Sequence, residues 1–132
     1  KPFSREVLTI VSGKNSYKFD VELALTARQQ MQGLMFRRSM ASDAGMLFVY
    51  GREEPTAMWM KNTFIPLDML FISSEGRVAH IAERTMPMSE AIVSSVGPVL
   101  AVLELNAGTV ARLGLRLGDF IVSTALGTNR KK

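Results

Sequence analysis

The chain has 132 residues, 47% of them hydrophobic and 21% charged. That suits one domain with a real core and excludes wholesale disorder. Its net charge is +4, but Arg130, Lys131 and Lys132 form a basic tail without which +1 remains. Nucleic-acid binding leaves a concentrated positive footprint. No basic stripe interleaved with aromatics appears here, so the charge pattern argues against a nucleic-acid partner.

There are no cysteines, which removes disulfides, thiolate nucleophiles and thiolate metal sites. The longest apolar runs, 46–50 and 99–103, are five residues each, whereas a membrane helix needs roughly 18. The chain opens on Lys1 rather than Met. That is compatible with a removed leader or with a trimmed segment.

Residues 5–12 and 17–25 read as a hairpin around Gly13-Lys14-Asn15-Ser16. In the second arm Tyr17, Phe19, Val21, Leu23 and Leu25 alternate with Lys18, Asp20, Glu22 and Ala24. A period of two is a half-buried strand. The period then changes. Thr26 and Gln29 have capping-box spacing, and Ala27, Met31 and Leu34 fall on one helical face. This predicts a short helix over 27–35, followed by a polar loop over 37–44.

Residues 45–50 form a buried strand pattern, and 51–55 a turn ending at Pro55. Residues 56–63 and 67–73 follow as strands, with Pro66 permitting only an edge or a strand start. Ser74-Glu75-Gly76 turns into a strand over 77–84. The stretch 85–97 reads as a long, partly irregular loop, a kind that usually serves a function. A strongly apolar strand over 98–105 precedes one or two helical turns over 106–114, stopped by Gly114. Gly118-Asp119 turns into a last strand over 120–125.

Seven or eight strands in runs, with two short helices, predict a mainly β, single-domain, antiparallel β-sandwich or barrel-like fold. Its ordered core spans about 5–125, and 128–132 form a basic C-terminal tail.

Two carboxylates interrupt apolar strands, Asp68 in Pro66-Leu67-Asp68-Met69-Leu70 and Glu104 in Val102-Leu103-Glu104-Leu105. A buried carboxylate is costly unless paired or hydrogen-bonded. Lys61, Asn62 and Arg37 are the obvious partners. Such groups are either polar staples that fix strand register or members of a cleft that faces a ligand. In Trp59-Met60-Lys61-Asn62-Thr63, strand alternation puts Trp59, Lys61 and Thr63 on one face and Met58, Met60 and Asn62 on the other. The first set has the make-up of a small-molecule pocket. Equally, Trp59 can fill the core while Lys61 snorkels outward.

Nine Met and one His raise a Cu(I) site built on Met58, Met60, Met86, Met88 and His80. But Met is a common core filler, and a lone His at an alternating strand position is more often packed than ligating. One His excludes multi-histidine zinc sites, and neither a Walker loop nor a Gly-x-Ser-x-Gly elbow is present. Acid–base chemistry by Asp68 and Glu104 with Lys61 is the enzymatic alternative. No metal or cofactor is called for.

Taken together, Gly33-Leu34-Met35-Phe36-Arg37, Gly45-Met46-Leu47-Phe48, Trp59-Met60-Lys61-Asn62-Thr63, Pro66-Leu67-Asp68, Leu103-Glu104-Leu105-Asn106-Ala107-Gly108 and Gly118-Asp119 resemble the domain of unknown function 192 family. The resemblance covers roughly 21–122. It implies a small, mainly β fold and an exported, periplasmic or extracellular protein, since family members often carry an N-terminal leader. It implies no activity. The motif residues it marks are Arg37, Trp59, Lys61, Asn62, Asp68, Glu104 and Asn106.

The leading expectation is therefore an extracytoplasmic small-ligand-binding or accessory module with its cleft around 59–63. A carboxylate-based hydrolase or lyase is the runner-up, a purely structural or interaction domain the third reading, and a Met/Trp copper-binding protein a less favoured one. Neither the ligand nor the oligomeric state is written in the sequence.

Overall fold

A computed structural model describes residues 2–129. Seven strands form one sheet: β1 (Ser4–Ser12), β2 (Asn15–Ala24), β3 (Ala44–Met58), β4 (Leu67–Ile72), β5 (Val78–Thr85), β6 (Val93–Asn106) and β7 (Phe120–Val122). Two short helices, α1 (Ala27–Gln32) and α2 (Thr109–Leu113), interrupt them. The spatial order is β5-β4-β6-β3-β2-β1-β7. All neighbours are antiparallel except β2 and β3, which run parallel because α1 and the loop after it carry the chain back.

The sheet curls into a half-barrel, and its two edges meet at one end. Arg77 bridges Phe120. The Val78 N–H donates to Asp119 O (2.9 Å) and the Ile121 N–H to Gly76 O (2.8 Å). Tying the edges together hides backbone groups that would otherwise template unwanted pairing.

Both faces of the central strands are covered, so their inner residues alternate between two cores rather than between core and water. On one face Leu8, Ile10, Phe19, Val21, Leu47, Leu70, Ile72, Leu103 and Leu105 pack with Val110 and Leu115 from the α2 region. On the other, Met46, Phe48, Met69, Phe71 and Val102 pack with Leu34, Met60 and Ile65. β4 is buried at every position, which explains its unbroken apolar pattern apart from Asp68.

Several local expectations hold. The Gln29 N–H donates to Thr26 Oγ1 (3.1 Å), and Gln29 Oε1 accepts from the Thr26 N–H (3.3 Å), completing the capping box. Gly114 caps α2 in the left-handed region (φ 70°). Pro66 falls just before β4.

Others are corrected. The helix ends at Gln32 rather than residue 35, and no residue within it is buried. Met31, expected on its buried face, is 73% exposed. The predicted turn at 51–55 does not separate two strands. β3 runs straight through it, with irregular pairing to β6 between Val49 and Glu54 and again between Pro55 and Ala57. Pro55 sits opposite Pro98 in this irregular stretch, the kind of place where a strand tolerates proline. The loop predicted over 85–97 shrinks to 86–92, because β5 reaches Thr85 and β6 begins at Val93. The last strand ends at Val122, and Thr128 Oγ1 closes the following turn by donating to Ile121 O (2.5 Å). Arg130, Lys131 and Lys132 of the basic tail lie outside the described residues.

Candidate functional site

The segment 59–63 is not a strand. β3 stops at Met58, and the Thr63 N–H turns back to Met60 O (3.1 Å), with Asn62 at φ 55°. Asn tolerates the left-handed region better than most residues, so Asn62 fits this turn. Strand alternation therefore fails as the reason for grouping Trp59, Lys61 and Thr63. The turn groups them anyway: all three line one cavity.

That cavity has a volume of about 320 Å³ and lies between α1, the turn after it, β3 and the 59–63 turn. Leu34, Met35, Phe48 and Met58 give it apolar walls, and Trp59 stands at its edge, 41% exposed. Polar groups are fewer: Gln30, Gln32, Tyr50, Lys61, Thr63 and Glu104. An apolar lining with a few convergent polar groups is the ordinary make-up of a small-molecule site.

Three loops are laced together beside it. The Phe36 N–H donates to Asn62 O (2.8 Å), the Met88 N–H to Thr63 O (3.0 Å) and the Met60 N–H to Ser89 O (2.9 Å). Each loop holds one non-glycine residue at positive φ: Phe36 at 66°, Asn62 at 55° and Met88 at 67°. Such conformations cost roughly 1–3 kcal/mol each and cluster at functional sites. Phe36 and Phe64 meet edge to face with ring centroids 6.4 Å apart, so this rim is apolar as well as strained.

The polar groups differ in how well they are satisfied. Gln30 Nε2 donates to Ala24 O (3.2 Å) and Val49 O (2.8 Å), pinning α1 to the sheet. Thr63 Oγ1 donates to Lys61 O (3.0 Å). The Tyr50 hydroxyl donates to Met58 Sδ (3.5 Å), a weak acceptor. Burial first, then Glu104 and Glu54, push its ionisation well above the usual range. Lys61 Nζ lies 5.0 Å from the Trp59 ring centroid, a cation on an aromatic face.

Glu104 is the exception. It is 4% exposed, yet its carboxyl makes no hydrogen bond or ion pair among the described residues. No sealed side-chain oxygen or nitrogen there lacks a partner, so the Glu104 oxygens reach the cavity. Burial alone pushes the carboxyl up to about 8. The residues that flank it in register on β3 and β4 are Met46 and Met69.

Asp68 is wholly buried but fully answered. Its Oδ1 accepts from the Arg84 N–H (2.9 Å), and its Oδ2 from the N–H groups of Gly108 (3.1 Å) and Val110 (2.9 Å). It therefore fixes the start of α2 and the end of β5. Asp68 pairs in register with Leu105, while Glu104 pairs with Met69. Alternation then puts the two carboxyls on opposite faces of the sheet. A hydrolase or lyase using both across one ligand has no basis in this arrangement.

The expected partners of these carboxylates lie elsewhere. Arg37 forms a forked pair with Glu22, including a 3.3 Å contact from Nη2 to Oε2, and crosses the Phe3 ring at 5.7 Å. Asn62 Nδ2 reaches Met35 Sδ at 4.0 Å. Asn106 Nδ2 donates to Met40 O (2.9 Å) and Ala41 O (3.2 Å), anchoring the 37–43 loop. Of the seven motif residues, Trp59, Lys61 and Glu104 line the cavity; Asn62 shapes the adjoining turn, Arg37 and Asn106 tie down the neighbouring loop, and Asp68 holds α2 on the opposite face of the sheet. Among the polar lining residues, Gln30, Gln32 and Tyr50 were not singled out by the sequence.

The copper candidates have other contacts: His80 stacks on Phe71 at 5.5 Å, Met60 Sδ accepts from Thr85 Oγ1 (3.2 Å) and Met58 Sδ from Tyr50.

Residues 8–123 match the domain of unknown function 192 family, DUF192, described as "Uncharacterized ACR". The chain belongs to this family. Two crystal structures are similar to it over nearly their whole length. One, from Sinorhizobium meliloti 1021, is described as a "putative transcription regulator"; it is 48% identical, with a TM-score of 0.93 and coverage of 95% of this chain and 98% of that one. The other, a protein of unknown function from Novosphingobium aromaticivorans DSM 12444, is 38% identical, with a TM-score of 0.86 and coverage of 89% and 84%. No curated protein matches the chain.

Proposed function

We propose that this DUF192 protein is a small-ligand-binding module whose site is the cavity beneath Trp59. The supporting observation is the coincidence of a 320 Å³ cavity, a mixed apolar and polar lining and three strained loops laced together at its side. A binding role is favoured over catalysis because the two candidate carboxylates face opposite ways. The same reading sets the module outside the cytoplasm, on its resemblance to exported family members.

The description carried by the Sinorhizobium meliloti relative raises a regulatory alternative. DNA readers of the common kind lay a helix in the major groove. Here α1 and α2 are six and five residues long, and the charge is not concentrated. Ligand binding is therefore the better-supported reading.

A fragment set screened by Trp59 fluorescence and thermal shift tests it. Hits that lose binding when Ala57→Trp fills the cavity mouth support the proposal. Hits unaffected by Ala57→Trp, or none at millimolar concentration, would overturn it.

A further inference from the structure

The cavity contains one group whose chemistry is incomplete. Glu104 comes from near the C-terminal end of β6, on the sheet face shared with Met46, Phe48 and Tyr50. No cation among the described residues offsets its burial. Leaving a carboxylate buried without a partner costs several kcal/mol, and replacing it with an apolar residue would remove that cost. Asp68, one sheet face away, shows how a carboxylate is held when its purpose is structural: three backbone N–H groups converge on it. Glu104 has no such set, and its oxygens open onto space.

The walls around that space suit a particular complement. Phe48, Tyr50 and Trp59 present aromatic rings, and Met35 and Met58 present polarisable thioethers. Aromatic faces and a carboxylate together are the surroundings that stabilise an ammonium group away from water. Resting on the pocket reading above, we propose that Glu104 is the counter-ion for an organic ammonium ligand with an apolar body, seated with its charged end toward β6.

The charged and titratable groups that face this ligand are few. β3 contributes Tyr50, whose hydroxyl stays neutral. The 59–63 turn contributes Lys61, whose charge is held against the Trp59 ring at 5.0 Å. From α1 come Gln30 and Gln32, which do not titrate, and β4 sets Met69 beside Glu104. Burial keeps the empty site's carboxyl protonated at neutral pH. An arriving ammonium ionises it, and the proton leaves for solvent. Affinity for the ammonium therefore rises with pH by up to ~tenfold per unit toward pH 8, then levels.

Calorimetry of the whole chain with phenethylamine, 2-phenylethanol and phenylacetate tests this. Phenethylamine is expected to bind at least tenfold more tightly than the isosteric alcohol. About one proton is released near pH 6.5, read from titrations in two buffers of different ionisation enthalpy. Glu104→Gln, with folding checked by circular dichroism, is expected to remove both the preference and the proton release. Proton release needs no variant, so the test survives a Glu104→Gln chain that fails to fold. Equal or tighter binding of the alcohol or of phenylacetate overturns the ammonium assignment and leaves the pocket reading standing. Failure of all three, while other fragments still bind beneath Trp59, also overturns the ammonium assignment alone. Silence of every compound overturns both.

Discussion

Asp68 and Glu104 sit on adjacent strands, one register step apart, and face opposite sides of the same sheet. One is closed off by three backbone donors, and the other is open to a cavity. Two carboxylates that look alike in sequence therefore make opposite demands on the fold. One ties the fold together, and the other is carried at a cost. Substitutions at the two sites should move stability in opposite directions.

Asp68→Ala leaves the N–H groups of Arg84, Gly108 and Val110 without their acceptor in a buried place. Each orphaned donor costs about 1–3 kcal/mol. A loss of at least ~3 kcal/mol is expected, read as a lower urea midpoint. A change under ~1 kcal/mol would mean that water replaces the carboxylate and that Asp68 is not the strut described here.

Glu104 behaves the other way, and its sign follows from its titration. Its carboxyl has an ordinary value of 4.5, and burial raises it to about 8 in the folded chain. Between those values the folded state holds a proton that the unfolded state has lost. The stability this gives is fully present below the unfolded value and is lost as pH rises through 8. Ligand-free protein should therefore lose on the order of a few kcal/mol between about pH 5 and pH 9 from this group. Glu104→Gln should flatten that part of the profile and match or exceed the native chain at pH 9. Parallel profiles for the two chains would show that Glu104 is solvated or paired.

Much of this fold could be read from the sequence because its signals are local. The period of two in β2, the Thr26–Gln29 capping box and Gly114 after α2 each depend on residues within a few positions. The misreadings share a cause. Gly51 and Pro55 look like a turn, but long-range pairing to β6 carries β3 through both. The 59–63 segment looks like a strand until Asn62 enters the left-handed region. Which carboxylate would be satisfied was illegible, because it depends on register between β4 and β6 and on α2 arriving over Asp68. Tyr50 was missed for the same reason. Met46, Phe48 and Tyr50 share a face by alternation, but only the β3–β6 pairing puts that face beside Glu104.

Gly45 shows how tightly that pairing is set. A Cβ there would lie 2.6 Å from Glu104 O and 2.7 Å from Leu105 Cδ2. The first atom is backbone of the paired strand, so it cannot swing aside. Gly45→Ala should push β3 from β6 and cost about 1–3 kcal/mol. Because the shift falls under Glu104, phenethylamine affinity should drop as well. An unchanged melting temperature would mean that the two strands separate more easily than their close approach suggests.

Asn106 offers a local test of what supports the site. Its two donated hydrogen bonds, to Met40 O and Ala41 O, are the side-chain tie between β6 and the 37–43 loop. Asn106→Ala should cost ~1 kcal/mol, with faster hydrogen exchange confined to 37–44. Exchange that rises equally across β6 would instead show that Asn106 holds the sheet.

Lys61 and Trp59 supply the last test, because Trp59 is the sole tryptophan and its emission reports on one place. Lys61 Nζ stands 5.0 Å from the indole centroid, with the ring 41% exposed. A cation on an exposed aromatic face is worth about 0.5–1 kcal/mol. Lys61→Ala should therefore change stability by less than ~1 kcal/mol while shifting the emission maximum and intensity of Trp59. It should also remove a positive charge from the cavity lining and so strengthen phenethylamine binding, whereas Glu104→Gln weakens it. If Lys61→Ala weakened the amine as Glu104→Gln does, the site would not be reading charge, and its preference would have to come from shape alone.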